Sequence, residues 1–288
     1  MIKNIKLWLN VSAATIVVCI ILIAYIRPNW GIDFTGGSLM EVRVEGISES
    51  DIRDIFRDAS GAEVRLQKSD EGVYIIRTSA LSENVHQKIL SIMKERAGAV
   101  EEQRFESIGP TIGKDLSNKA MIAIGIVLVS LVVYLAYTFR QSSKIISAWK
   151  FGIAAVYALI HDLCVVMAVF VVLGKFYQVP IDTMFVTASL AILGYSVNDT
   201  IVVFQRLKMT WLKEKSGSLL EILDTAVKGV LTRSLNTSIT TLLVLIALLV
   251  LGGTTITWFV LAIMIGTVAG TYSSIFVAPP LLYYLAKK

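Results

Sequence analysis

The chain is poor in the residues that build disulfide frameworks, metal centres and irregular backbone. It holds two cysteines, two histidines and five prolines in 288 residues. Cys19 and Cys164 both fall inside apolar runs without metal-ligand spacing, so a disulfide framework is excluded and both are expected to be packing residues. Two histidines supply no metal cluster at ligand spacing. No Gly-Lys-Ser/Thr phosphate loop occurs, which argues against an autonomous ATPase, and Gly36-Gly37 alone is too little for a nucleotide site. No soluble-type hydrolytic triad assembles, so neither an enzyme nor a cofactor is expected. Charge is scarce as well, at 17% of residues against 55% apolar. A helix of roughly 20 apolar residues crosses a ~30 Å hydrocarbon layer. Several such runs are present, and the lipid bilayer is the expected solvent.

The charge that remains is unevenly spread. Residues 27–119 carry 13 Lys/Arg against 16 Asp/Glu, whereas the rest carries 14 against 6. The basic excess sits in short loops beside apolar runs, which reads as the positive-inside pattern rather than as nucleic-acid binding. Six spans are predicted, about 7–26, 120–139, 151–173, 183–204, 233–251 and 256–286, the last long enough for two readings. If the N-terminus is cytoplasmic, 12 of the 14 outer cations share one side. They are Lys3, Lys6, Arg140, Lys144, Lys150, Arg206, Lys208, Lys213, Lys215, Lys228, Lys287 and Lys288. Both termini are therefore expected inside and residues 27–119 outside. The first span ends in Tyr25-Ile26-Arg27-Pro28 with no small-residue cleavage site, so an uncleaved signal anchor is expected.

Residues 27–119 read as a domain between two linkers. Segment 38–46 alternates apolar and charged residues as a half-buried strand does. Ser48-Glu-Ser-Asp51 signals a helix start before Ile52, Ile55 and Phe56, which share one face. Strands are expected near 62–68, 72–78 and 99–108, with a second amphipathic helix opening at Ser82 and carrying Val85, Ile89, Ile92 and Met93. The order βαββαβ is ferredoxin-like, an α+β pattern that hosts many functions and identifies none. The linkers, Gly31-Ile-Asp-Phe-Thr-Gly-Gly37 and Gly109-Pro-Thr-Ile-Gly113, are glycine-rich and serve as hinges or as tight turns.

Three spans carry polar residues where lipid is expected. In the fourth, Asn198, Asp199 and Thr200 interrupt an apolar helix, with Tyr195 on the Asp199 face. An ionised Asp in the membrane costs at least ~2.5 kcal/mol, so it normally faces a partner or a wet cavity. The fifth span opens with Arg233, and Asn236, Thr237, Thr240 and Thr241 continue its face as one stripe. Antiparallel neighbours would bring Arg233 to the depth of Asp199, roughly 8 Å from the cytoplasmic end, where a long guanidinium can reach a short carboxylate. The third span carries His161-Asp162 roughly 16 Å deep. Carboxylate, imidazole and hydroxyl groups through a hydrophobic layer are the parts of a proton path, although Asp199 with Arg233 also suits a static clamp and His161-Asp162 a satisfied polar pair. The Ser/Thr stripe suits helix–helix contact as well as a pathway lining. Gly266-x-x-x-Gly270 in the sixth span, with Thr267, Thr271 and Ser274, reads as a close-packing face.

These motifs resemble a known family. Gly31-Ile-Asp-Phe-Thr-Gly-Gly37 followed by Glu41 is similar to the signature after the first span of the SecD/SecF protein-export family. Gly194-Tyr-Ser-Val-Asn-Asp-Thr-Ile-Val-Val-Phe204 resembles the fourth-span motif of its SecF branch. Segments 232–242 and 266–280 are similar to that branch's fifth and sixth spans, so the resemblance covers nearly the whole chain. Gln205 departs from it, standing where an acidic residue is common before Arg206.

The resemblance implies an RND-superfamily membrane half: an α-helical membrane protein of six transmembrane helices with a small ferredoxin-like extracytoplasmic domain, divided into 1–26, 27–119 and 120–288. It implies a bacterial inner-membrane location and SecD, the SecYEG channel and the small subunit YajC as partners. Unfolded exported polypeptides and membrane lipids would be its other contacts, with no nucleic acid. The implied activity uses proton flux, with no cofactor, to promote late translocation and release of exported proteins, with Asp199 and Arg233 at the family's relay positions. An RND-type exporter of small molecules or lipids is a competing expectation, as is a scaffold for translocon assembly.

Overall fold

A computed structural model describes residues 4–68, 72–140, 146–213, 218–253 and 256–287. Of the cations that set the expected orientation, Lys3, Lys144, Lys215 and Lys288 lie outside the described residues. The elements run α1 (Ile5–Ile26), α2 (Ile32–Thr35), β1 (Gly37–Val44), α3 (Glu49–Ser60), β2 (Arg65–Lys68), β3 (Val73–Thr78), α4 (Glu83–Ala97) and β4 (Val100–Ile108), then α5 (Pro110–Thr138), α6 (Ala148–Tyr177), α7 (Thr183–Lys213), α8 (Leu219–Leu251), α9 (Thr257–Phe276) and α10 (Ala278–Lys287). Two compact units result: Met1–Asn29 with Ile122–Lys288, and Trp30–Met121.

The smaller unit is an antiparallel sheet in the order β2-β3-β1-β4, the ferredoxin-like arrangement expected from the element order. Alternation in β1 buries Met40, Val42 and Val44 on one face. They pack with Ile52, Ile55 and Phe56 of α3, Ile76 of β3 and Ile89 and Met93 of α4. Helix α3 starts where Ser48 and Asp51 close a reciprocal capping box. The glycine linkers form a tight turn. Gly36 and Gly37 have φ of +73° and +133°, and an added Cβ would lie 2.8 Å from the Pro110 Cα and 2.7 Å from the Thr78 oxygen. A Cβ on Gly113 would lie 2.8 Å from the Gly36 nitrogen. Within the same motif, Gly31 precedes α2 in extended backbone and Asp33 lies in its first turn, while half-buried Glu41 sits 3.9 Å from Arg104.

Among the described residues six helices are long and apolar enough to cross a membrane, α9 and α10 together making the sixth, and apart from the start of α5 they form the larger unit. In hydrocarbon every backbone polar group must be satisfied within the segment, and an α-helix does so. Helices α6, α7 and α9 are the inner ones, whereas α1, α5 and α8 are mostly exposed. Most of that exposed surface is apolar, including Ile20, Ile21, Ile126, Val129, Leu243 and Val244, as a lipid-facing surface must be. Small residues set the closest approach. A Cβ added at Gly266 would run into the Ile192 side chain, and one at Gly270 would lie 2.9 Å from the Ser196 Cβ, so α9 rests directly on α7. Cys19 is buried, Cys164 half-buried, and both are free.

The helices outrun the predicted spans because hydropathy marks only their apolar part. Helix α7 continues to Lys213 and α8 begins at Leu219, and these extensions pack Leu207 against Ile222, Leu223, Ala226 and Val227. Ser218 and Glu221 cap α8 with a second capping box. The last span divides at Val277, where Pro279 and Pro280 occupy the first turn of α10, the place where a missing N–H costs least.

Candidate functional site in the helical core

Each inner helix carries a short polar stretch, near the midpoint in α6 and α7 and in the last turns of α9, and those stretches meet. Asp162, midway along α6, is fully buried. Its Oδ2 accepts from Ser196 Oγ of α7 at 2.6 Å and from Ser273 Oγ of α9 at 2.8 Å, and its Oδ1 lies 3.2 Å from His161 Nδ1. Among the described residues His161 is the only basic group within 4.0 Å of Asp162. A lone charge there would have no nearby counter-ion, so the pair is stable only when nearly neutral as a whole.

Asp199 lies one turn beyond Ser196 on α7 and is also buried. Its Oδ2 accepts from Ser234 Oγ of α8 at 2.5 Å. The hydroxyls continue along the neighbouring turns. Ser238 Oγ donates to the Ser234 carbonyl at 2.9 Å, lies 2.5 Å from Thr271 Oγ1 of α9, and receives the Tyr195 hydroxyl at 3.1 Å. Thr200 Oγ1 donates to the Ser196 carbonyl at 3.2 Å. Ser196, which holds Asp162, and Asp199 itself thus stand about one turn apart on α7, and each carboxylate accepts from at least one hydroxyl of a neighbouring helix.

The predicted site residues separate into those the fold gathers and those it turns outward. His161, Asp162, Asp199 and Thr200 are buried in the network, with Tyr195 at its margin. The direct pairing expected of Asp199 with Arg233 does not occur. No ion pair within 4.0 Å joins them among the described residues, and Arg233 is exposed. Asn198, Asn236, Thr237 and Thr240 are exposed too, and Thr241 is half-buried. The hydroxyls of Thr237, Thr240 and Thr241 bond to carbonyls of their own helix. Periodicity correctly groups these residues on one face, but it does not say which way that face points. The face of α8 that meets the bundle is offset by one residue, at Ser234 and Ser238.

Sequence reasoning missed Ser196, Ser234, Ser238 and Ser273, the donors that hold both carboxylates. A serine in an apolar helix carries little signal by itself. The available signal was spacing, since Ser196 stands three residues before Asp199 and Ser234 follows Arg233 about 100° further round the helix.

Fold and site together define a multi-pass membrane protein with protonatable groups packed into its helical core. Residues 88–288 match the family model "Protein export membrane protein SecD/SecF, C-terminal", and residues 26–46 match that of the SecD/SecF GG motif. The chain belongs to the SecD/SecF family of protein-export membrane proteins. It is 38% identical over 266 residues to the protein translocase subunit SecF of Thermobaculum terrenum, covering 88% of this chain and 83% of that one. To the SecF of Helicobacter pylori it is 32% identical, over 93% of this chain and 81% of the relative. The crystal structure of SecDF, a translocon-associated membrane protein from Thermus, superposes with a TM-score of 0.85 at 26% identity, covering 100% of this chain and 38% of that one. SecDF in its super-membrane-facing form gives 0.66 at 28% identity, over 95% and 37%.

Proposed function

We infer that the chain is an accessory subunit of the Sec protein translocase that couples the proton gradient to late export of polypeptides. The observation that carries this reading is the pair of buried carboxylates, Asp162 held by Ser196 and Ser273, and Asp199 held by Ser234. A charge there is costly, so proton uptake and release change the attraction between helices. Hydroxyls both accept and donate, so the serine at each acid can pass a proton to or from it. Arg233 acts from the exposed face beside this network rather than within it. The energy source is the proton gradient itself, without a cofactor, and the role is mechanical rather than enzymatic.

A SecD-type subunit is the partner this reading requires, consistent with the match to little more than a third of a SecDF chain. The exposed polar face of α8 suits that contact. The SecYEG channel and YajC complete the proposed assembly. In the bacterial inner membrane both termini lie in the cytoplasm and the ferredoxin-like domain lies outside, where it acts on the emerging polypeptide. The test is export into inverted membrane vesicles with and without a proton gradient. Asp199→Asn should abolish the gradient-dependent part of late export at normal subunit levels. Export that still responds fully to the gradient would leave only a scaffold role.

A further inference from the structure

Among the described residues only two that are not glycine have positive φ: Arg27 at +63°, just past α1, and Gln178 at +55°, just past α6. Such backbone is unfavourable and persists only where its surroundings impose it. Asn29 joins the two places. Its Nδ2 donates to the Gln178 carbonyl at 2.9 Å and to the Val179 carbonyl at 3.3 Å, and its own carbonyl accepts from the Ile181 amide at 2.7 Å. Both side-chain neighbours are carbonyl oxygens, so the amide of Asn29 faces them with its NH2. Val179 and Ile181 are buried, which seats the turn firmly in the membrane unit.

The turn that Asn29 holds connects α6, which carries Asp162, to α7, which carries Asp199. At 1.5 Å per residue Asp162 lies roughly 22 Å from the end of α6, and Asp199 roughly 24 Å from the start of α7. A packed helix moves as one body over such a length, so a shift at either acid reaches the turn. The smaller unit begins at the next residue, Trp30. The chain returns to the membrane unit through α5, which turns Ile122, Ile126 and Val129 outward and, in its membrane part, fully buries Leu135 and Ala136 only near its end. Of the two connections, the one at Asn29 is fastened where the chain leaves the bundle, and to the helices that bear the acids.

We propose that Asn29 is a positioning residue that fastens the outgoing chain to the α6–α7 turn, so that a shift of these helices on protonation is passed to the smaller unit. The proposal rests on the proton-coupled reading above. The test is export into inverted membrane vesicles carrying the whole translocase, with and without a proton gradient. Asn29→Asp keeps the size of the side chain but sets an acceptor against two carbonyls. It should remove most of the gradient-dependent part of export, at normal subunit levels and with the titrating carboxyl band of the infrared spectrum intact. A covalent link should replace the lost bonds. A Cβ added at Gly174 would lie 3.2 Å from the Asn29 Cβ and 3.1 Å from the Val179 oxygen, so a small outward shift brings the pair to the disulfide spacing of ~3.5–4.5 Å. Asn29→Cys with Gly174→Cys, in a chain with Cys19 and Cys164 replaced by alanine, should respond to the gradient when oxidised and lose the response when reduced. If Asn29→Asp does not accumulate, this pair alone decides. A full gradient response in Asn29→Asp would overturn the proposal, as would a cysteine pair that fails to cross-link or exports alike in both redox states. Loss of the carboxyl band together with export would also overturn it, leaving Asn29 a support of the acid site. Asp199→Asn in the same vesicles keeps the two claims apart. A full response there sinks the proton-coupled reading and the proposal with it, whereas loss there beside a full response in Asn29→Asp sinks the proposal alone.

Discussion

At the scale of residues, the account rests on hydroxyl groups rather than on an ion pair. Ser234 is the only described side chain that hydrogen-bonds Asp199. Ser234→Ala leaves that buried acceptor unmade, which costs about 1–3 kcal/mol. Thermal unfolding in detergent should fall accordingly, and Ser234→Thr, which keeps the hydroxyl, should recover most of the loss. Arg233→Ala should cost less than Ser234→Ala, because the exposed guanidinium acts on Asp199 only through space and makes no direct ion pair with it; a loss as large as that of Ser234→Ala would restore the direct pairing. In the smaller unit, the Ser48 hydroxyl holds the Asp51 carboxyl below its ordinary value of 3.8. A lowered carboxylate contributes stability in full above its ordinary value and loses it as pH falls through the lowered one. Amide exchange in α3 should therefore be faster in Ser48→Ala than in the parent at neutral pH. The difference should narrow at pH well below 3.8 but persist in part, because the bond that the Asp51 amide donates to Ser48 Oγ does not titrate.

At the scale of elements, glycine spacing controls how α9 meets α7. Gly266→Leu places a side chain into Ile192, and overpacking of this kind costs about 1–3 kcal/mol or more. It should lower the yield of folded protein, while Gly125→Leu on α5, which meets nothing within 4 Å, should not. Size-exclusion profiles after extraction separate the two results. The element pattern was largely readable beforehand. Strand alternation at 38–46, the cap at Ser48 and six apolar runs all became elements close to their predicted places. Helix length was less readable, since α7 and α8 extend beyond the apolar part on amphipathic surfaces that hydropathy ignores. The Ser218-Glu221 capping box was nevertheless in the sequence and marks where α8 begins. The carboxylates and histidine of the site stood out against an apolar background. Their serine partners did not, because a serine costs little in any helix and its contacts are fixed only by packing.

At the scale of the whole molecule, the larger unit has an inner layer that is polar at mid-height and an outer helix, α8, that carries an exposed polar stripe beside its apolar lipid-facing residues. A polar face on an apolar helix is poorly solvated by lipid and calls for a protein neighbour. Asn236→Cys, in a chain with Cys19 and Cys164 replaced by alanine, should react with a maleimide when the chain is alone and be protected when a SecD-type partner is co-expressed. Equal reaction in both states would mean that α8 is not the contact. The central claim is that the buried acids change protonation in place, and infrared difference spectroscopy tests it most directly. As pH is stepped across the parent chain, a protonated-carboxyl stretching band should rise and fall, and Asp162→Asn and Asp199→Asn should each remove part of it. A titrating band identical in the parent and in both variants would contradict the account.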